Sequence, residues 1–148
     1  MKLIIIISFI FTLTACVGMP KSSQELQEKS NTRYQFIVDK ELGTVESSFD
    51  EFFKKCYYNL DHSKIYLNHA RVGVDQGFDK TKDINHIKYS IYFGSSPKTK
   101  KYGLDVDLSK IADSNSIKVE LVAATGMWKR SFPKYKNVAN GEKESCPW

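Results

Sequence analysis

From residue 34 onward the chain is written in short runs of alternating apolar and polar side chains, broken once by a helical period. Tyr34, Phe36 and Val38 alternate with Gln35, Ile37 and Asp39, the mark of a half-buried strand. After Gly43 the spacing lengthens. Val45, Phe49, Phe52, Phe53, Cys56 and Leu60 recur every three or four residues, which predicts one apolar face of a helix over 45–60. Thr44 suits its N-cap and Glu46 the positive end of its dipole, while Lys54 and Lys55 suit the negative end.

Beyond Asp61 the period returns to two. Ile65 and Leu67 alternate one way and Ala70, Val72 and Val74 the other, so a single strand with a bulge near Asn68-His69 is expected. Residues 75–83 read as a polar hairpin loop. Ile87, Tyr89, Ile91 and Phe93 then alternate with Lys88, Ser90 and Tyr92, and Gly94-Ser95-Ser96-Pro97 ends that strand. Tyr102, Leu104, Val106 and Leu108 form the next, and after a turn over 113–116 Ile117, Val119, Leu121 and Ala123 form the last. Trp128, Phe132, Tyr135 and Val138 or Ala139 resume a helical period, with Ser131 suited to cap and Gly141 to stop it. Short polar connections favour an antiparallel meander, and clean alternation predicts one buried and one wet face. The expected fold is a single α+β domain over 34–148, in the order β-α-β-β-β-β-α, with the first helix covering one face of the sheet.

Composition bounds the picture. Aromatic residues make up 13% of the 148, including nine Phe and eight Tyr, too many for a disordered chain. Before residue 34 the pattern differs. One basic residue, Lys2, precedes an apolar run over 3–13 that ends in small residues, the order of a secretory signal. The run is about half the roughly 20 residues needed to span a bilayer. Residues 17–33 contain Gly18, Pro20, several Ser and alternating charges, and read as a flexible tether; residues 24–29 are expected to turn helical only transiently, since they show no apolar stripe to bury.

Leu13-Thr14-Ala15-Cys16 resembles the lipobox of bacterial lipoproteins. The resemblance covers the first sixteen residues. It implies removal of residues 1–15, a diacylglyceryl thioether on Cys16 and an acylated new amino terminus, leaving 16–33 as a lipidated tether. Two or three chains together hold a protein firmly where one binds marginally. Val17, rather than Asp, follows the cysteine, which in this family leans toward the outer membrane, with the domain facing the periplasm. Lipidation of Cys16 leaves Cys56 and Cys146 as an even pair in an oxidising compartment, and a disulfide between them is expected.

The formal charge is +5. For an exported domain this favours anionic lipid headgroups or acidic partner surfaces over nucleic acid. Lys98, Lys100 and Lys101, with Lys129, Arg130, Lys134 and Lys136, are interleaved with Tyr102, Trp128, Phe132 and Tyr135 and are the candidate anionic-surface contacts; the preferred reading is a solvated basic face with the aromatics turned inward. The loop over 75–83 places oxygen ligands at alternate positions, but Lys80 stands where a calcium loop needs glycine and His86 where it needs glutamate. Asp105 and Asp107, with Glu120 nearby, could serve as a carboxylate pair for hydrolysis, yet they fall on the face expected to be wet, where solvated charges are the simpler reading. His62, His69 and His86 share no zinc-ligand spacing. A Cys56–His62 nucleophile conflicts with a disulfide at Cys56. No cofactor is implied. The expected function is a non-catalytic, lipid-anchored envelope module that binds a protein partner or plays a structural part. The alternatives are a carrier with an apolar pocket beneath Phe49, Phe53 and Ile91, and, more weakly, a hydrolase.

Overall fold

A computed structural model describes residues 18–57, 64–67, 70–73, 76–94 and 98–147. The elements in chain order are α1 (Ser23–Lys29), β1 (Thr32–Val38), α2 (Leu42–Tyr57), β2 (Lys64–Leu67), β3 (Ala70–Gly73), β4 (Gln76–Lys82), β5 (His86–Phe93), β6 (Lys101–Lys110), β7 (Ile117–Ala123), a 3-10 turn (Gly126–Ser131) and α3 (Phe132–Ala139). The fold is α+β. β4 to β7 form an antiparallel meander, and β1 adds to β7 from the other side, giving the order β1-β7-β6-β5-β4.

Alternation makes the sheet two-faced. Ile87, Tyr89, Ile91, Leu104, Val106, Leu108, Ile117, Val119, Leu121 and Ala123 turn to one side and are fully or almost fully buried with Val45, Phe49, Phe52 and Phe53 of α2. Phe53 lies at the centre, its ring 4.7 Å from that of Tyr89 and 5.7 Å from that of Phe49. α3 packs beside α2 and brings Tyr135 into the core, where its hydroxyl lies 2.7 Å from that of Tyr57. Burial raises the Tyr57 hydroxyl well above the ordinary tyrosine value, and that of Tyr135 is raised for the same reason.

Four expectations are corrected. The stretch over 75–83 is not a loop: Gln76–Lys82 is strand β4, paired with β5 from Gln76↔Phe93 to Lys82↔Ile87. Its positions on the α2 side are Phe78, its only large apolar residue, Lys80 and Lys82, so no apolar period marks it. Lys64–Leu67 and Ala70–Gly73 are not one bulged strand but two antiparallel paired strands, β2 and β3; the expected bulge at Asn68-His69 lies outside the described residues. α2 begins at Leu42 rather than at Thr44, with Thr44 and Val45 both donating to the Glu41 carbonyl; Leu60 lies outside the described residues. The fourth correction is to the tether. Residues 23–29 form α1, which packs across β6 and β7 and buries Leu26 completely, so the free part of the tether is shorter than 16–33.

One bulge does occur. Ile91 pairs with Leu104 but Tyr92 pairs with Tyr102, leaving Gly103 as the extra residue of β6. A side chain there would meet the Trp128 ring at 2.7 Å and the Phe93 ring at 2.9 Å, so only glycine lets these rings close over the strand. The helical period after Trp128 splits into the 3-10 turn and α3. Ser131 makes no capping bond, its hydroxyl donating instead to the Trp128 carbonyl. Gly141, at φ +79°, follows the last turn in the left-handed region where glycine is favoured.

Candidate functional site

Three groups of side chains bear on function. The first is the carboxylate pair. Asp105 and Asp107 sit on the sheet face opposite α2, but that face is not simply wet. Asp105 is fully buried beneath α1: Ser23 Oγ donates to its Oδ2 at 2.6 Å and Gln27 Nε2 at 2.9 Å, while Oδ1 has no hydrogen-bond partner. Gln27 also donates to Asp107 at 3.2 Å, and His86 Nε2 lies 2.7 Å from Asp107 Oδ1. Lys88 Nζ stands 3.9 Å from Asp105 and 3.7 Å from Asp107. Burial raises the Asp107 carboxyl above its ordinary value, against the opposing pull of Lys88 and His86. Glu120 stands opposite Asp107 on β7, as expected, but is bonded by Arg33 at 3.1 Å; Arg33 also donates to the Gln27 carbonyl at the end of α1. The donors on Asp105 thus come from the covering helix, and the carboxylate serves as the seat on which α1 rests.

The second group replaces the calcium-loop reading. Lys80 Nζ donates to Glu46 at 2.8 Å and to Asp50 at 2.7 Å, and Lys82 Nζ to Glu46 at 2.8 Å. Tyr89 Oη donates to Asp50 at 2.7 Å. Bonds from Lys80 and Lys82 hold the Glu46 carboxyl below its usual value. For Asp50 burial pushes upward most strongly, yet the Lys80 and Tyr89 bonds together outweigh it and the carboxyl is lowered. Burial likewise presses the Lys80 ammonium down, and its two carboxylates more than reverse this. On the other face of β4, Asp79 accepts from Lys100 at 2.9 Å and from Tyr102 at 2.8 Å; burial and Asp79 push the Tyr102 hydroxyl up to about 12. Among the described residues no three His, Cys, Asp or Glu converge as metal ligands; His62 and His69 lie outside those residues.

The third group is the basic and aromatic set, which the structure divides. Lys100 is committed to Asp79 and lies 3.7 Å from the Tyr92 ring centroid. Lys134 holds the tail, donating to Ser145 Oγ at 2.7 Å and to the Cys146 carbonyl at 3.1 Å. Lys136 is exposed on α3, while Lys98, Lys129 and Arg130 are exposed and Lys101 half-buried at the end of the sheet where β5 ends and β6 begins. There an apolar groove of about 550 Å³ opens, lined by Met19, Phe93, Met127, Trp128, Arg130 and Pro147 among others. Of the interleaved aromatics, Phe132 and Tyr135 turn into the core as the expectation of inward aromatics requires, Tyr102 lies on the other face of the sheet with Asp79, and Trp128 closes the groove floor. The groove draws on residues from four separate parts of the chain and had no linear signal.

Cys56 and Cys146 form a disulfide with Cα atoms 5.4 Å apart. It ties the tail after α3 to the C-terminal turn of α2. A bonded Cys56 cannot be a nucleophile. Cys16 lies outside the described residues. No family model matches the chain, and no curated protein matches it in sequence.

Proposed function

We propose that this chain is an exported, lipid-anchored envelope protein whose domain acts as a non-catalytic module, binding a protein partner or serving a structural part at the periplasmic face of the outer membrane. The observation that carries the reading is the arithmetic of its thiols. Two of three cysteines are joined, as suits an oxidising compartment, and the remaining one, Cys16, closes the lipobox Leu13-Thr14-Ala15-Cys16. The absence of Asp at position 17 supports the outer over the inner membrane.

The packing favours a module over the two alternatives. Phe49, Phe53 and Ile91, beneath which a carrier would keep its pocket, are each fully buried, with Phe49, Phe53 and Tyr89 ring against ring. Asp105, which a hydrolase would need open to substrate, is held under α1 by Ser23 and Gln27. The test is envelope fractionation, intact mass and crosslinked pull-down of the chain and its Cys16→Ser variant from the native host. The expected result is a mature mass carrying lipid in the outer-membrane fraction with a reproducible crosslinked partner. A mature mass without lipid, or recovery wholly with the inner membrane, overturns the anchor and the address. An apolar small molecule co-purifying in stoichiometric amount overturns the module in favour of the carrier.

A further inference from the structure

We propose that the groove end of the sheet is seated on the anionic lipid surface that holds the anchor. This rests on lipidation of Cys16 and adds to it an orientation and a second, protein-borne contact with the bilayer. Three observations converge. The first is where the chain arrives. The Pro20 carbonyl accepts from the Tyr102 amide at 2.8 Å, and Met19 lines the groove. Four residues from Cys16 to Pro20 reach at most about 14 Å, so while this bond and α1 are in place the groove cannot stand far from the headgroups.

The second observation is apolar surface at that end. Met127 is 81% exposed and Met19 36%, at the mouth of a groove floored by Phe93 and Trp128. Thioether and indole side chains suit the boundary between acyl chains and headgroups. The third is charge. Arg130 lines the groove and Lys129 adjoins it in the chain, while Lys101 pairs with Phe93 in the β5–β6 register and Lys98 lies three residues before Lys101. None of the four has an acidic partner among the described residues, since Asp79 is taken up by Lys100 and Tyr102. At the opposite end of the sheet, Asp39, Glu41, Asp83 and Asp113 offset Lys40, Lys82 and Lys110. The unpaired positive charge therefore lies at the anchored end, where anionic headgroups attract it.

The experiment uses the full mature chain carrying Trp148→Phe, which leaves Trp128 as its one indole. It is placed in vesicles of phosphatidylcholine, alone or mixed with phosphatidylglycerol, with lipids brominated near the headgroup as quenchers. Trp128 is expected to be quenched, more strongly on the anionic vesicles and less at high salt. Lys129→Gln and Arg130→Gln should weaken vesicle binding of the unlipidated chain roughly fivefold for each cation removed, and Met127→Gln should reduce quenching without changing the melting temperature. A chain that floats with the vesicles while Trp128 stays unquenched on both overturns the seating and leaves the anchor standing. A chain that carries no lipid by mass overturns the anchor, and its unlipidated form binding anionic vesicles in a salt-dependent way still supports the face. Loss of quenching when a crosslinked envelope protein or a second copy is added, with the chain still membrane-bound, assigns the groove to that protein and overturns the lipid contact.

Discussion

The two faces of this sheet are built from the same strands by the same alternation, yet they are held by opposite means. On the α2 side more than a dozen apolar side chains bury one another around Phe53. That side is redundant, since each ring has several neighbours and dispersion sums over many contacts. On the α1 side a seven-residue helix contributes one fully buried residue, Leu26, and is located by directional bonds from Ser23 and Gln27 to Asp105 and from Arg33 to its last turn. A helix that short does not persist on its own. The difference teaches which part can come away. α2 cannot leave without unfolding the domain, whereas α1 can undock and leave the core intact.

The largest expected effect is on the α2 side, at the disulfide. Cys56 and Cys146 are 90 residues apart, and a loop of that length is associated with about 4–5 kcal/mol on the chain-entropy account. Cys146→Ser, or reduction of the parent, should lower the melting temperature by many degrees in circular-dichroism unfolding, with the C-terminal segment gaining hydrogen exchange first. Two titratable thiols in the folded, unreduced protein would contradict the bond. Next, Phe53→Ala should cost roughly 3–5 kcal/mol and move every probe of unfolding together, because the core has no smaller cooperative unit to give up.

Leu26→Ala should act differently although it too truncates a fully buried residue. Its effect is capped by the docking free energy of α1, so the melting temperature should fall by only a few degrees while proteolysis within residues 20–30 accelerates on the order of tenfold. Asp105→Asn should do the same, since the seat for Ser23 and Gln27 loses its charge. If either variant lowers the melting temperature as far as Phe53→Ala does, the two faces are one cooperative unit and the contrast fails.

The smallest effect, from pH, carries opposite signs on the two sides. Asp107 has its carboxyl raised by burial, so its ionised form disfavours folding above the ordinary value of 3.8, and protonation on mild acidification strengthens the α1 side. Glu46 and Asp50 are lowered, principally through Lys80. Their stabilisation is present above their ordinary values of 4.5 and 3.8 and is lost only as pH falls through the lowered ones. Lys80, raised above 10.5, contributes below that value and ceases to do so as pH rises through the raised one. Melting temperature against pH should therefore be flattened in mild acid by Asp107→Asn and at lower pH by Glu46→Gln. Each effect is about 1 kcal/mol or less for partly exposed pairs. Identical profiles for the two variants would remove the asymmetry.

The legible elements were those whose partners share their period. β5, β6 and β7 alternate over whole strands, and α2 presents five buried apolar residues at helical spacing, so both the sheet and its cover could be read along the chain. β4 escaped because its inward positions alternate between Phe78 and lysines whose partners, Glu46 and Asp50, lie 30 or more residues earlier. α1 escaped because one leucine makes no stripe; its other contacts are polar and reach 78 to 82 residues ahead to Asp105. The same distance hid the burial of Asp105, which alternation alone assigns to solvent. Of the basic residues, sequence proximity could not separate Lys100 and Lys134, each committed to a partner, from Lys129 and Arg130, which have none among the described residues.

The lysines of β4 bear on how copies of the chain meet. β4 and β1 are the outer strands, and an unpaired strand edge is a template for adding another chain. On β4 the ammonium groups of Lys80, partly buried, and Lys82, exposed, lie on the α2 side and are held by Glu46 and Asp50; charge at an edge strand opposes sheet-to-sheet growth, because a docking strand would have to set its own side chains beside it. β1 has no such guard; it ends in Ile37, 62% exposed, and Val38. Among the described residues the two borders therefore differ in kind, β4 bearing charge on its α2 side and β1 ending in apolar residues, so extension by a second strand is disfavoured more at β4 than at β1.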